Sequence, residues 1–289
     1  MYFRDPGGFE TYRRYLFSIA YRMLGSAMEA EDMVQETYLR FLAAEVEEIE
    51  NPKAYLSTII TRLCLDQLKS ARVQRENYTG EWLPEPILTG DTPASQLLER
   101  ESISTAFLVL LEKLSPLERA VFLLRDVFDY SYAEIATMIG KNEANCRQHY
   151  HRAKQYLREH RPRFEPSSDE QKQLVESFLR AMEAGDVEGL TRTLAEQAVM
   201  YGDGGGKVPS APHPVAGREA VIRLLLGIYR LAPKEMRIEF TEVNGAPGVL
   251  LWQKVHLLGV MTFSIVGGQI QAIYNLINPD KLARIKTSI

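Results

Sequence analysis

The stretch SYAEIATMIGKNEANCRQHYHRAK, residues 131–154, decides how the middle of this 289-residue chain folds. Ser131 followed three residues later by Glu134 forms a capping box, a pattern that starts a helix. Gly140 then supplies the residue that most easily takes the left-handed conformation at a helix end. A second helix is predicted over 143–160. Two helices joined by such a turn form a helix-turn-helix, whose second helix can enter the major groove of DNA.

The charge of the second helix supports DNA binding. Residues 141–163 hold seven Lys or Arg and two Glu, although the whole chain has a net charge of −4. Local basic charge on an acidic chain suits a localised DNA contact. Side chains able to read base edges in the first turns are Asn142, Glu143, Asn145, Arg147 and Gln148. Those better placed for phosphates are His151, Arg152 and Lys154. A solvated helical hairpin with incidental charge is the alternative.

The N-terminal part, residues 1–78, has helical periodicity throughout and offers two polar faces. The first face lies opposite the apolar stripe of a helix over 28–44 and contains Asp32, Gln35, Glu36 and Arg40. The second follows a helix start at Asn51-Pro52 and contains Arg62, Asp66, Lys69, Arg72 and Arg75. A basic helix with Tyr78 nearby suits melted DNA, because cations meet phosphates and aromatic rings meet bases.

Composition shifts divide the chain into four segments. Residues 1–78 and 100–163 are predicted to be all-α domains, and 79–99, rich in Pro and Gly with acidic charge, is a linker. Residues 164–289 begin with helices and end with alternating strands, which predicts an α+β domain with an antiparallel sheet. Trp82 and Leu83 make the linker apolar enough that we expect it to dock on a folded surface.

Cysteine usage and hydropathy limit the cellular setting. The two cysteines, Cys64 and Cys146, show no metal-ligand spacing, so reduced structural thiols and no metal or other cofactor are expected. The N-terminus shows no signal-peptide pattern, and no apolar run reaches the length of a membrane span. We therefore expect a cytoplasmic protein that does not insert in a membrane.

An ordered set of motifs resembles the extracytoplasmic-function (ECF) group of the sigma-70 family of sigma factors. EAEDMVQETYLRFL (29–42) looks like region 2.2, and NPKAYLSTIITRLCLDQLKSAR (51–72) is similar to regions 2.3 and 2.4. LSPLERAVFLLRDVFDYSYAEIATMIGKNEANCRQHYHRAKQYL (114–157) resembles region 4. The resemblance implies that the 32–40 face grips the β′ clamp helices of RNA polymerase core and the 62–75 face binds the −10 element. Region 4 would read the −35 element near the β flap.

Three further motifs resemble a subgroup of ECF sigma factors with a fused SnoaL-like domain of the NTF2-like fold, a cone with a curved antiparallel sheet. They are WLPEP (82–86), DGGGK (203–207) and NPDKL (278–282). The resemblance implies that this domain regulates the sigma factor in cis. Candidate interdomain regulatory residues are Trp82, Pro84, Asp203, Gly204, Gly205, Gly206, Lys207, Asn278, Pro279 and Lys281. A simple turn is the alternative for the DGGGK loop.

The C-terminal domain could also hold a pocket, because this fold hosts cyclases and isomerases. Candidate pocket residues are Tyr201, Trp252, His256, Phe263 and Tyr274. The primary hypothesis is a transcription initiation factor without catalysis of its own. One alternative is a SnoaL-like enzyme, or a small-molecule sensor, carrying a DNA-binding module. Another is a conventional one-site regulator, which leaves the 32–40 face unexplained.

Overall fold

The computed structural model describes residues 6–44, 49–76, 78–89, 103–160, 168–233 and 235–285. The chain forms two compact units. The first contains residues 1–76 and 108–161, and the second contains 77–107 and 162–289. The two predicted sigma regions therefore share one unit, whereas the predicted linker groups with the C-terminal domain.

The described part of the first unit is helical. Its elements are α1 (Pro6–Leu24), α2 (Ala27–Ala43), α3 (Pro52–Glu76), α4 (Thr105–Glu112), α5 (Pro116–Phe122), a π-helical turn (Leu123–Val127), α6 (Tyr132–Ile139) and α7 (Glu143–His160). The boundary between the two units falls within α4. Phe9, Leu16 and Ile60 are fully buried in this unit, as the apolar periodicity of the sequence predicts.

Local sequence explains the helix ends. Asn51 caps α3 by accepting a hydrogen bond from the Ala54 N–H at 3.1 Å. Ser115 and Ser131 each form a complete capping box, with Glu118 and Glu134 respectively. Gly140 follows α6 with φ of 64°, a left-handed conformation that glycine adopts at little cost. The predicted helix-turn-helix is thus present, with its second helix beginning at Glu143.

The second unit contains three helices and one sheet in its described C-terminal part, followed by a short helical turn. The helices are α8 (Ser168–Ala184), α9 (Val187–Thr193) and α10 (Arg218–Leu231), and the turn is α11 (Pro279–Leu282). The strands are β1 (Leu194–Asp203), β2 (Val215–Ala216), β3 (Met236–Val243), β4 (Ala246–Gln253), β5 (His256–Val266) and β6 (Gln269–Leu276). Their order is β2-β1-β6-β5-β4-β3.

The predicted α+β class is confirmed, but the sheet is mixed instead of purely antiparallel. β1 was not predicted, and it pairs in parallel with β6, with Tyr201 opposite Tyr274. Helices α8, α9 and α10 pack on one face of the sheet around Phe178, Met261 and Phe263. We call this the helix-covered face. Side chains of neighbouring residues alternate between this face and the opposite one.

The described linker segment 78–89 lies along the C-terminal domain within the second unit. Leu88 forms an isolated bridge with Val243, and the Thr89 N–H donates to the Glu242 carbonyl at 2.9 Å. Leu83 is 2% exposed. Residues 78–89 therefore pack on a folded surface, as their apolar side chains predict. Residues 90–99 of the predicted linker lie outside the described residues.

Candidate nucleic-acid interface and the buried Asp203 cluster

The exposed face of α7 carries the residues predicted to contact the −35 element. Helical spacing buries Cys146, Tyr150, Ala153 and Leu157, so the intervening residues face outward. Glu143 is partly exposed, and the exposed positions are Asn142, Asn145, Arg147, Gln148, His151, Arg152 and Lys154. All eight predicted residues therefore lie on the exposed part of the helix or at its N-terminus.

Several of these side chains already have partners. The Asn142 side chain caps α7 by accepting from the Asn145 N–H at 2.8 Å. Arg147 pairs with Glu143 at 2.6 Å, and Arg152 pairs with Glu118 at 2.7 Å. Exposed ion pairs of this kind exchange readily for other anions, because each contributes little free energy. The arginines can therefore turn to phosphate or base acceptors.

A hydrogen bond between a hydroxyl and a carboxylate joins α7 to the π-helical turn Leu123–Val127. Tyr150 donates a hydrogen bond to Asp126 at 2.6 Å, and Lys154 donates to the Tyr150 hydroxyl at 2.8 Å. Burial, followed by the bond to Asp126, raises the pKa of Tyr150. The bond to Tyr150 is the main cause that raises the pKa of Lys154. Lys154 consequently stays a cation on the outward side of the helix.

The predicted polymerase-binding face lies on α2 and is exposed. Asp32, Gln35 and Arg40 are exposed, and Glu36, which is partly exposed, accepts a hydrogen bond from Arg40 at 2.9 Å. Sequence analysis did not include the apolar residues that accompany them. Met28, Leu39 and Leu42 are 55%, 58% and 48% exposed. Exposed apolar residues beside charged ones are typical of a protein-binding surface. The signal in the sequence is that these three residues fall outside the helical positions of the buried apolar stripe of α2.

The predicted −10 face lies on α3, and its first member is engaged elsewhere in the first unit. Arg62 donates to the carbonyls of Met138 at 2.8 Å and Thr137 at 3.0 Å. Asp66 and Lys69 are exposed and form an ion pair at 2.8 Å. Arg72 and Arg75 belong to the last turns of α3, and their side chains lie outside the described residues.

The motif residues of the C-terminal unit meet at one buried carboxylate, Asp203. Its Oδ1 accepts from the Tyr78 hydroxyl at 2.6 Å and from the Gly205 N–H at 3.0 Å. Its Oδ2 accepts from the Leu83 N–H at 2.9 Å and from Lys281 Nζ at 2.7 Å. Four donors and one ion pair offset the cost of burying this charge. These five residues, with Asn278, are called the Asp203 cluster below.

Aromatic rings complete the environment of Lys281. Its Nζ also donates to the Leu83 carbonyl and lies 4.1 Å from the centre of the Trp82 ring and 5.1 Å from that of Tyr78. Such cation–π contacts add to the hydrogen bonds that hold the Lys281 ammonium in place. Burial, followed by the bond to Asp203, raises the pKa of Tyr78, so this hydroxyl remains a donor.

The glycines of the DGGGK loop allow close approach of Asn278. Gly205 has φ of 61°, and a Cβ there would collide with the Asn278 amide, which donates to the Tyr78 hydroxyl at 2.8 Å. A Cβ at Gly204 would collide with the Val208 carbonyl, and one at Gly206 would press on Thr79. The loop is therefore part of a packed contact within the second unit and more than a simple turn.

The remaining candidate regulatory residues surround this contact. Pro84 is buried in the linker segment, whereas Pro279 begins α11 as an exposed residue. Lys207 pairs with Asp280 at 2.6 Å on the surface. All ten candidates therefore lie at or beside the Asp203 cluster.

The five predicted pocket residues do not line one cavity, so this prediction is corrected. Tyr201 and Tyr274 stack at 5.2 Å on the face opposite the helices, whereas Phe263 packs on Phe178 at 5.7 Å on the helix-covered face. Trp252 is buried beside Arg237, and His256 is exposed at the β4–β5 turn. Strand residues were assigned to a common pocket without their register, which separates them. Burial, followed by the nearby Tyr201, raises the pKa of Tyr274.

Within the described residues, no group of three or more His, Cys, Asp or Glu side chains is arranged to hold a metal ion. Both cysteines are buried free thiols. None of the helices described above is both long and apolar enough for a membrane span.

Two known protein families match the helical regions of this chain. The Sigma-70 region 2 family matches residues 9–73, and the Sigma-70, region 4 family matches residues 104–157. The ECF RNA polymerase sigma factor SigJ of Mycobacterium tuberculosis is 34% identical over 287 residues, covering 94% of this chain and 91% of SigJ. SigI of the same organism is 31% identical, covering 99% of this chain and 98% of SigI.

A solved structure extends this likeness over both units. The crystal structure of Mycobacterium tuberculosis SigJ matches with a TM-score of 0.79 and 31% identity, covering 96% of this chain and 98% of the other. A two-region sigma fold and near full-length likeness define a sigma-70-type initiation factor. The chain belongs to the ECF RNA polymerase sigma factors, which confirms the resemblance given by its motifs.

Proposed function

We propose that this chain directs RNA polymerase core to a set of promoters and that its C-terminal domain regulates this activity in cis. The observation that carries the proposal is near full-length likeness to SigJ in a chain that exposes both the α2 face and the α7 face. A one-site regulator would need only α7. The α2 face gives the chain a second binding surface, suited to a protein partner.

Polymerase binding is assigned to Asp32, Gln35, Glu36 and Arg40, with the exposed Leu39 beside them. The β′ clamp helices are the proposed partner. Charged residues give such an interface its specificity, and the apolar residue adds buried area. The region 4 domain would lie near the β flap.

Promoter contacts are divided between α3 and α7. The face containing Arg62, Asp66, Lys69, Arg72 and Arg75 would bind the −10 element as it melts. The first turns of α7 would read the −35 duplex, with Asn145 and Gln148 toward base edges and Lys154 toward phosphate.

Cis regulation is supported by the way the linker segment is held within the second unit. Tyr78 and Leu83 both bond to Asp203, so the chain that leaves the region 2 domain is fastened to the C-terminal domain. Removing the residues after Asp169 should therefore change promoter-specific transcription. Unchanged transcription at every promoter would contradict regulation in cis.

We infer that the chain does not catalyse a reaction. The Tyr201–Tyr274 pair and Phe263 lie on opposite faces of the sheet, and Asp203 is occupied by four donors. The alternative is a cyclase or isomerase, or a ligand sensor. Steady turnover of a cyclic ketone that Asp203→Asn abolishes would favour an enzyme, and a ligand-dependent rise in melting temperature would favour a sensor.

The polymerase assignment is tested by binding. Purified chain is mixed with core polymerase and separated by size, with Asp32→Ala/Glu36→Ala as the variant. Glu183→Ala/Glu188→Ala removes the same charge from exposed sites on α8 and α9 and serves as the control. The first variant should lose co-migration and the control should keep it. Equal binding by both variants would contradict the assignment.

A further inference from the structure

Two arginines lie over the ring of one tyrosine beside α7. Tyr132 is the first residue of α6, and its ring centre is 5.1 Å from the guanidinium carbon of Arg147 and 5.3 Å from that of Arg125. Arg147 lies in the second turn of α7, and Arg125 lies in the π-helical turn before α6. The face of an aromatic ring attracts cations, and a planar guanidinium stacks well on it. Tyr132 therefore joins a predicted base reader to a cation that sequence analysis did not assign. We call these three residues the Tyr132 platform.

The Tyr132 ring is held in place by its neighbours. It is partly buried and meets the Tyr150 ring edge to face at 6.0 Å. Tyr150 is itself buried and bonded to Asp126. The capping box of Ser131 and Glu134 fixes the backbone at the start of α6. A side chain held in this way loses little conformational freedom when a ligand binds beside it.

The Arg147 guanidinium combines a stacked face with hydrogen-bond donors at its edge. Its other partner is Glu143, at 2.6 Å, and the two side chains are each about half exposed. Such a pair contributes little free energy, so the carboxylate can be exchanged for an acceptor on DNA. Stacking uses the face of the guanidinium, whereas its N–H donors lie in the plane. Arg147 can therefore bind DNA without leaving the Tyr132 ring.

Arg125 is placed where a helix-turn-helix meets the phosphate backbone. It donates to the Tyr130 carbonyl at 2.9 Å, lies 3.9 Å from the Asp129 carboxylate and is 38% exposed. When the second helix of this motif enters the major groove, the first helix crosses the backbone. Arg125 adjoins the start of that first helix and shares the Tyr132 ring with a residue of the second. This position suits a phosphate oxygen, which arginine binds through parallel N–H donors.

We propose that Tyr132 is a positioning residue that presents the Arg147 guanidinium to a guanine of the −35 element, and that Arg125 binds a neighbouring phosphate. The base follows from chemistry, because guanine N7 and O6 form a pair of acceptors in the major groove that matches two arginine donors. The proposal rests on the proposed promoter-directing function. It deepens that function by naming one base, one positioning residue and one phosphate contact.

Base preference in the complex with core polymerase tests Tyr132. A promoter fragment that the wild-type complex transcribes receives random bases across its −35 element, and the bound fragments are sequenced. Arg147→Gln should abolish a guanine preference at one position. Tyr132→Leu should weaken the preference at that same position about two- to fivefold, whereas Tyr132→Phe keeps the ring and should retain it. Tyr156→Leu removes a different ring from α7 and should change no preference.

A purely structural role for Tyr132 gives a different result. It would lower affinity to the same extent for every −35 sequence, and that outcome would overturn the proposal. An unchanged guanine preference in Tyr132→Leu would overturn it as well. If Tyr132→Leu fails to fold, Tyr132→Met replaces it, since methionine is unbranched and favours a helix.

Salt dependence tests Arg125. Arg125→Gln should lower the slope of log affinity against log salt by about one and leave the base preferences unchanged, as expected for the loss of one phosphate contact. Arg180→Gln removes the same charge from an exposed site on α8 and should leave the slope unchanged. Equal slopes for Arg125→Gln and Arg180→Gln would contradict the phosphate contact.

Nuclear magnetic resonance of the free full chain judges the platform without polymerase. The Tyr132 ring current should shift the signals of the Arg147 guanidinium protons upfield in the wild type and in Tyr132→Phe, and this shift should vanish in Tyr132→Leu. Equal Arg147 shifts in the wild type and Tyr132→Leu would overturn the proposal. Lack of binding to core polymerase counts against the promoter-directing function instead. A complex that transcribes with a guanine preference indifferent to Tyr132 would refute the positioning role and leave the function intact.

Discussion

Lys281 Nζ lies 2.7 Å from Oδ2 of Asp203, and the two side chains are 8% and 0% exposed. Asp203 ends β1, and Lys281 lies in α11, directly after β6. Because β1 and β6 are parallel neighbours, their carboxyl ends bring the two residues together. The linker amide of Leu83 binds the same carboxylate oxygen. The buried Asp203 carboxylate therefore joins the end of β1 to α11 and to the linker segment.

Lys281→Met should destabilise the second unit by about 3–5 kcal/mol, because it leaves the Asp203 charge buried without its cation. Lys207→Met is the matched control, since the Lys207–Asp280 pair is exposed and should cost less than about 1 kcal/mol. Denaturant unfolding of both variants measures the difference. Equal losses would mean that the buried pair contributes no more than a surface pair.

Gly205→Ala should loosen the linker from the Asp203 cluster, because the new Cβ would displace the Asn278 amide that binds Tyr78. Hydrogen exchange of the Leu83 amide reports this directly, and its rate should rise. Gly217→Ala is the control, since Gly217 also has positive φ but open space around it. A Leu83 amide equally protected in both variants would show that Asn278 does not help to seat the linker.

Ser131→Ala should destabilise the first unit by about 1 kcal/mol at neutral pH through loss of the α6 cap. The bond from the Ser131 hydroxyl, followed by that from its backbone N–H, lowers the pKa of Glu134. A lowered carboxyl pKa gives stability that is complete above the ordinary value of 4.5 and is lost as pH falls through the folded-state value. The difference in free energy of unfolding between the wild type and Ser131→Ala should therefore become smaller near pH 3. Ser177→Ala, in the middle of α8, should show no such narrowing.

Gly140→Ala should cost about 1 kcal/mol because alanine is strained at φ of 64° in the turn of the helix-turn-helix. Gly227→Ala, inside α10 with open space for a Cβ, should instead stabilise the chain by about 1 kcal/mol. Thermal unfolding of the two variants shows whether each substitution lowers or raises the melting temperature. A stabilising Gly140→Ala would contradict the left-handed turn.

Local patterns predicted the helices well because caps and periodicity act within a few residues. Ser131, Glu134 and Gly140 bound α6 as the sequence indicates. β1 was missed because residues 194–203 show no clear alternation and gain their pairing from β6, about 70 residues later. The sequence likewise does not show that Tyr201 and Phe263 lie on opposite faces of the sheet, because strand register depends on partners that are distant in the chain.

The contacts of the candidate sites were harder to predict than their residues. Motif resemblance selected Asp203, Lys281 and Leu83 as members of three separate motifs, but their convergence on one carboxylate needs the parallel β1–β6 pair. Arg62 was assigned to DNA by its helix face, and its bonds to the α6 carbonyls follow from tertiary packing alone.

Run-off transcription with purified core polymerase on a library of genomic promoter fragments tests the central claim most directly. The full chain is compared with Asp32→Ala/Glu36→Ala and with a chain ending at Asp169. We predict transcripts that depend on the full chain and are lost with Asp32→Ala/Glu36→Ala. No transcript with either the full or the shortened chain, both folded, would contradict a promoter-directing role, as would transcripts indifferent to Asp32 and Glu36.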